Sequence, residues 1–198
     1  MSKVLANRLR KVIAECVHKD QTCSVPGRSI HDNLHLLRNI IEYSDDRNME
    51  AAIVSLDQSK AFDRVSHEYL IATIKAFGFG NSFISWLRLL YNDASSCVLV
   101  NGFLSPSLNI KRSMRQGCPI SALLYVLCME PVAAGIRNDD RVKGLKIPGT
   151  ASEVKLSLYA DDTNAIVTTM ETTTCPDFPI SLTLSFYRFE LCIVVAAV

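Results

Sequence analysis

No Cys-x-x-Cys pair occurs in this chain, and its cysteines (Cys16, Cys23, Cys97, Cys118, Cys128, Cys175 and Cys192) are odd in number and scattered. That pattern excludes a zinc module and a disulfide framework, and it predicts reduced thiols in an intracellular setting, nucleus or cytoplasm. No apolar run reaches the ~18 residues that a membrane span needs. The opening residues, Met1-Ser2-Lys3-Val4-Leu5-Ala6-Asn7-Arg8, lack the apolar core of a secretory leader. An excess of one charge is missing as well. Lys and Arg number 21 against 20 Asp and Glu, a net charge of +1, so the broad basic field of a strong nucleic-acid binder is absent. The chain is 48% hydrophobic and 21% charged over 198 residues, the composition of a globular protein with one good core or a core plus a small subdomain.

The chemistry is concentrated in acids. Tyr159-Ala160-Asp161-Asp162 lies between the apolar runs 154–158 and 165–167, which predicts a β-hairpin with two carboxylates at its tip. Carboxylates about 4 Å apart repel by about 4 kcal/mol at an effective dielectric of 20, so the pair calls for water or a cation beside it. Far upstream, Ala51-Ala52-Ile53-Val54-Ser55-Leu56 reads as a buried strand that ends in a third acid, Asp57. If the two strands are neighbours, Asp57 and Asp161 meet at one end of a sheet. A hard divalent ion suits such carboxylate oxygens together with substrate phosphates.

The helical segments follow from spacing. Residues 3–17 carry Leu5, Leu9, Val12, Ile13 and Cys16 on one face. A second helix over 30–43, begun by Ser29, carries the stripe Ile30, Leu34, Leu37 and Ile41. Ser66 caps a helix over 67–77 that Gly78 and Gly80 stop, and a helix over 82–91 turns Phe83, Trp86, Leu87 and Leu90 inward. Asn101-Gly102 between two strand-like runs predicts a type I′ hairpin. Beyond the basic loop 111–117, Pro119 opens a broadly apolar helix over 120–136 that Pro131 kinks or ends. The stretch 137–146 mixes both charge signs and reads as a solvated connection. His31 and His35, four apart with no further ligands, read as a solvated helix face.

Three ordered segments resemble a known family. Ser55-Leu56-Asp57-Gln58-Ser59-Lys60-Ala61-Phe62-Asp63-Arg64-Val65, then Arg115-Gln116-Gly117-Cys118-Pro119, then Tyr159-Ala160-Asp161-Asp162 are similar to motifs A, B and C of reverse transcriptases, in the LINE-type (non-LTR) retrotransposon branch. The resemblance runs from about residue 1 to 169. Gly27-Arg28 also matches a fingers motif, whereas Cys23-Ser24 stands where Gly-Phe is expected.

The resemblance implies an α+β fold, a polymerase palm of antiparallel sheet with packed helices. Partial fingers would span 1–50, the palm 51–169, and a divergent tail, a candidate for disorder, 171–198; no thumb pattern is visible. The implied activity is RNA-directed DNA synthesis, with an RNA template, a DNA primer and dNTPs as partners and no membrane. Asp57 and Asp161 would hold two Mg²⁺ ions (Mn²⁺ being an alternative), supported by Asp162 and by the backbone carbonyl of Gln58. Phe62 would pack where a ribose 2′-hydroxyl would sit, and Gln116, Gly117 and Arg28 would line the nucleotide pocket. Arg115, Arg8 and Lys11, with Arg10, would meet nucleic-acid phosphate. The plain alternatives stay open for Phe62 as core, for Arg28 and Arg115 as ordinary surface, and for Asp63 as a structural bond to its neighbouring loop. For the whole chain, the alternatives are an inactive retrotransposon remnant, a weak nucleic-acid binder or another palm-type nucleotidyl transferase.

Overall fold

The computed structural model describes residues 1–148, 152–168 and 194–197. In chain order the elements are α1 (Ser2–Leu9), α2 (Ile13–Cys16), α3 (Ile30–Arg47), β1 (Ala52–Leu56), α4 (Ala61–Arg64), α5 (His67–Ala76) and α6 (Asn81–Tyr91). Then come β2 (Ser95–Ser96), β3 (Leu99–Val100), β4 (Phe103–Leu104), β5 (Leu108–Asn109), α7 (Ser121–Asn138), β6 (Leu156–Tyr159), β7 (Asp162–Val167) and β8 (Val194–Ala197).

The central sheet has the order β6-β7-β1-β8, and each neighbouring pair is antiparallel. In β1 the side chains alternate: Ala52, Val54 and Leu56 are buried while Ile53 and Ser55 are half-buried, the signature of a strand with one face on a core. The buried face packs with Leu156, Leu158, Ala165 and Val167 against Ala133 of α7. The outer edge of β6 is covered by the segment after α2. Leu158 N donates to Asp20 O at 2.9 Å, Thr22 N donates to Leu158 O at 3.1 Å, and Asn33 Nδ2 donates to the same carbonyl at 2.8 Å. A short parallel strap thus occupies what would otherwise be an exposed edge.

Beneath the sheet, α7 is buried nearly all round, from Leu123 to Met129. Its second face joins Leu5, Leu9, Ile13 and Val17 to Leu70, Ile74 and Leu87 in one cluster, so the first 25 residues share a core with α5 and α6 rather than forming one of their own. Arg137 fastens the strap to α7: its Nη1 donates to both Asp20 oxygens at 3.0 and 2.8 Å, and its Nη2 donates to Glu130.

Several local expectations change. The single helix expected over 3–17 is broken between Leu9 and Ile13, where Val12 adopts φ −120°. The break turns Val17 into the core and leaves Val12 exposed. In α3 the buried positions are Asn33, Ile40 and Ser44, so Ile30, Leu34 and Ile41 face outward instead of inward. Trp86, expected inside, is 45% exposed, because α6 buries Phe83, Ile84, Leu87 and Tyr91 instead. Pro131 lies within α7, which continues to Asn138, while the Tyr69 hydroxyl donates to the Cys128 carbonyl at 2.9 Å. The connection after α7 buries Val142 and Leu145. The Asn-Gly turn is as expected, with Asn101 and Gly102 at φ 49° and 84°. The tail expected over 171–198 lies outside the described residues except for β8, which pairs with β1 from Ala52↔Ala197 to Ser55↔Val194.

Leu124, fully buried on α7, measures this packing against Trp86. Leu124→Ala is expected to cost about 3 kcal/mol and Trp86→Ala under about 1 kcal/mol, as read from urea unfolding midpoints at unchanged slope.

Candidate active site

β1 and β7 pair with Leu56 opposite Thr163 at the end of the ladder. Carried one residue further, that register sets Asp57 toward Asp162, whose carboxyl feels the Asp57 charge, and directly opposed residues of an antiparallel pair have side chains on the same face. In the β6–β7 hairpin Tyr159 pairs with Asp162, so Ala160 and Asp161 form the two-residue tip. The three acids therefore stand at one end of the sheet, delivered by strands more than a hundred residues apart. Ala160 takes φ +56°, a left-handed backbone that costs a non-glycine residue about 1–2 kcal/mol. Gln21 of the strap bonds the Ala160 backbone on both sides: its Oε1 accepts from Ala160 N at 3.1 Å and its Nε2 donates to Ala160 O at 3.5 Å.

The acids feel one another. The Asp162 carboxyl is raised above its ordinary range by partial burial and by the negative charges of Asp161 and Asp57. Tyr125 is raised by burial and by Asp161, Cys128, Asp162 and Asp57, which puts its hydroxyl within the field of all three acids. Cys23 is raised by burial and by Asp161 and Asp162 against a lowering contact from Ser24. Among the described residues no three His, Cys, Asp or Glu side chains form a ligand group sufficient for a metal by themselves. One or two carboxylates with remaining positions left to water, backbone and substrate phosphate is the habit of Mg²⁺, so this hard-oxygen, mutually repelling donor set fits a divalent cation.

The strand exit is fixed from below. Gln58 is 2% exposed, and its Oε1 accepts from the Tyr125 hydroxyl at 2.5 Å while Nε2 has no partner among the described residues. Tyr125 in turn stacks on Phe62 with ring centroids 4.6 Å apart and planes 18° apart. The Gln58 side chain is thus a buried support, which leaves only its backbone for a role at the surface. Phe62 is half-buried and packs against the core.

The basic loop is laced to this segment. Met114 N donates to Phe62 O at 2.9 Å, Ser113 N donates to Val65 O at 3.0 Å, and the Ser113 hydroxyl donates to Asp63 at 2.8 Å, the structural bond that is one expectation for Asp63. Arg115, Gln116 and Gly117 follow as exposed residues. The first two make no side-chain hydrogen bond or ion pair among the described residues. Gly117 has φ +76°, and a Cβ there would meet nothing within 4 Å, which leaves open space at the loop.

Other expected contacts are not assembled here. Arg28 donates from Nη1 to the carbonyls of His18 and Gln21 at 2.7 and 2.8 Å, and from Nη2 to those of Ala14 and Val17 at 3.4 Å. Its guanidinium is a strut for the strap, which argues against the nucleotide contact expected of it. Arg8 and Lys11 are exposed, Arg10 donates to Asn7 at 2.8 Å, and no contact ties these three to the acids. Sequence reasoning missed Tyr125, which goes unnamed within the apolar helix expected over 120–136, and Gln21, which lies in the loop ahead of the Ser29 cap. A polar residue two positions before the Cys23 departure was the only available signal for the latter.

Two measurements follow from the charge arrangement. Mg²⁺ at about tenfold over its Kd is expected to stabilise the fold by about 1.4 kcal/mol, a Tm rise of about 4 °C, and Asp57→Asn or Asp161→Asn should abolish the rise. Because Asp162 is raised in the fold, its charged form opposes folding as pH rises through its folded value, and the penalty disappears on acidification. Without metal, Asp162→Asn should therefore raise the neutral-pH Tm by about 1 °C, a small effect since the carboxyl is exposed and screened, with no gain in acid.

Comparison with known proteins gives the arrangement a family. Residues 1–181 match the model described as reverse transcriptase (RNA-dependent DNA polymerase). The chain is 42% identical over 162 residues to the Transposon TX1 uncharacterized 149 kDa protein of Xenopus laevis, covering 82% of this chain and 12% of that one. It is 26% identical over 133 residues to the Retrovirus-related Pol polyprotein from type-2 retrotransposable element R2DM of Drosophila melanogaster, covering 64% and 13%. In structure it is similar to apo telomerase from Candida Tropicalis truncated from its C-terminal domain, with TM-score 0.62, 13% identity, and coverage of 99% of this chain and 40% of that one. That likeness shows the α+β palm-like fold. The chain spans only about an eighth to a fifth of the first curated relatives it matches. With its motif-bearing acids at one end of an antiparallel sheet and a family match over most of its length, the chain belongs to the reverse transcriptase family, in the company of LINE-type retrotransposon proteins.

Proposed function

We propose that this chain is the catalytic portion of an RNA-directed DNA polymerase that transfers a deoxynucleotidyl group from a dNTP to the 3′-hydroxyl of a DNA primer on an RNA template. The single observation that carries the reading is the β1–β7 register, which brings Asp57 beside the Asp161–Asp162 tip. Asp57, Asp161 and the Gln58 backbone carbonyl are the groups that would hold two Mg²⁺ ions, with Asp162 in support. When bound, the ions would lower the pKa of the primer hydroxyl and neutralise charge on the triphosphate and leaving pyrophosphate.

The protein's own residues do the positioning. Gln116 and Gly117 line the nucleotide pocket, the glycine letting the backbone approach closely. Arg115, unpaired among the described residues, is suited to phosphate. Phe62, held flat by Tyr125, excludes a ribose 2′-hydroxyl by bulk and leaves that hydroxyl without a partner. A net charge of +1 favours one second reading, a weak nucleic-acid binder without turnover.

Primer extension with RNA template, DNA primer, dNTPs and Mg²⁺ separates the two. Extension by the wild-type chain that falls by about 10²–10³-fold or more in Asp161→Asn supports catalysis. No extension by either protein, with retained binding of an RNA–DNA hybrid, leaves the binder. In an active chain, Phe62→Val should lower discrimination against ribonucleotides by about 10–100-fold while changing dNTP incorporation far less, as read from kcat/KM for matched rNTP and dNTP.

A further inference from the structure

We infer that Gln21 is the positioning residue of the carboxylate tip: from outside the sheet it holds Ala160 in its left-handed conformation and so aims Asp161. Gln21 is 1% exposed, and its polar ends are both engaged. Oε1 accepts from Ala160 N at 3.1 Å and from Cys23 N at 3.0 Å, while Nε2 reaches Ala160 O at 3.5 Å. Only a carboxamide of this length offers an acceptor and a donor side by side to the N–H and the C=O of one residue. The peptide it grips is the one that needs gripping, since Ala160 stands at φ +56° with no glycine to make that conformation easy.

The grip has a rigid base. Gln21 forms a parallel bridge with Leu158, and its neighbours Asp20 and Thr22 bond the backbone of Leu158 on both sides. Asp20 is itself held by Arg137 of α7. The aim of Asp161 is therefore set from the N-terminal segment through α7, not by the hairpin alone. Released from Gln21, Ala160 relaxes toward negative φ and the Asp161 carboxylate leaves its place beside Asp57. This inference rests on the polymerase reading for its catalytic consequence but not for its structural content.

Amide hydrogen exchange at Ala160, followed in the full chain, tests the structural content. Gln21→Met keeps the volume and loses all three bonds, and it should speed exchange at Ala160 by about tenfold or more. Gln21→Glu keeps the two accepting contacts and loses the donor to Ala160 O, and should speed exchange by clearly less than Gln21→Met does. Thr22→Val, which loses only the Thr22 Oγ1 bond to Leu158, should change Ala160 exchange by less than about twofold. In primer extension, Gln21→Met should lose about tenfold in kcat with the dNTP KM within about threefold, because the acids act on the reacting phosphate and the dNTP is held elsewhere. Wild-type exchange rates in Gln21→Met, equal acceleration in Thr22→Val, or acceleration in Gln21→Glu to match Gln21→Met would overturn the inference. A wild-type chain without extension would instead remove the polymerase reading and leave the exchange result to decide the role of Gln21.

Discussion

The antiparallel pairing of β1 with β7 is the constraint on which the rest depends. Each step of that ladder, from Ala52↔Val167 to Leu56↔Thr163, is a backbone pairing with no chemistry of its own, yet where it ends it delivers Asp57, the next residue, toward Asp162, the neighbour of Thr163. A slip of one residue would turn Val54 and Leu56 toward the opposite face and swing Asp57 away from the tip. The buried face of β1 forbids that slip, since Ala52, Val54 and Leu56 would all leave the core they share with Ala133 and Leu158. The site's electrostatic strain is thus paid for by packing: like charges are held together by a hydrophobic register that cannot move.

The same logic joins the other parts. The segment after β1 is pinned by Tyr125 from α7 and by the backbone of residues 113 and 114, so the acid, the aromatic Phe62 and the open loop at Gly117 share one support. On the opposite flank, the strap at Asp20–Thr22 extends the sheet past β6 and is clamped to α7 by Arg137. Both flanks converge on α7, which explains why this helix is buried nearly all round and why its sequence shows an apolar surface too broad for one face. Among the described residues the most exposed large apolar side chain, Phe103 at 81% in the β3–β4 hairpin, stands outside this scheme.

What was legible in the sequence followed short-range rules. Strands ending in acids, the Asn101-Gly102 turn and the Ser66 cap are decided by two to four neighbouring residues, and they appear as expected. The choice of helix face was harder. In α6, Ile84 and Trp86 flank the Phe83–Leu87 line on opposite sides, and the core took Ile84. In α3, the buried line contains Asn33, whose amide satisfies the Leu158 carbonyl, so a polar residue won a core position that the apolar stripe was expected to fill. Arg28 shows the same limit from the opposite side: a cation that looks available for phosphate is consumed by four backbone carbonyls brought near by the fold. Gln21 and Tyr125 were illegible because their partners, Ala160 and Gln58, lie 139 and 67 residues away.

The central claim is that one cation site is built from both ends of the sheet's acidic corner. Titrating the ¹⁵N-labelled chain with Mn²⁺ and following backbone amide resonances reads this directly, since a bound paramagnetic ion broadens only nearby nuclei. The account predicts that the amides of Asp57 and Asp161 broaden together at the same Mn²⁺ concentration. Broadening of one without the other, or of neither while distant acids respond, would contradict it.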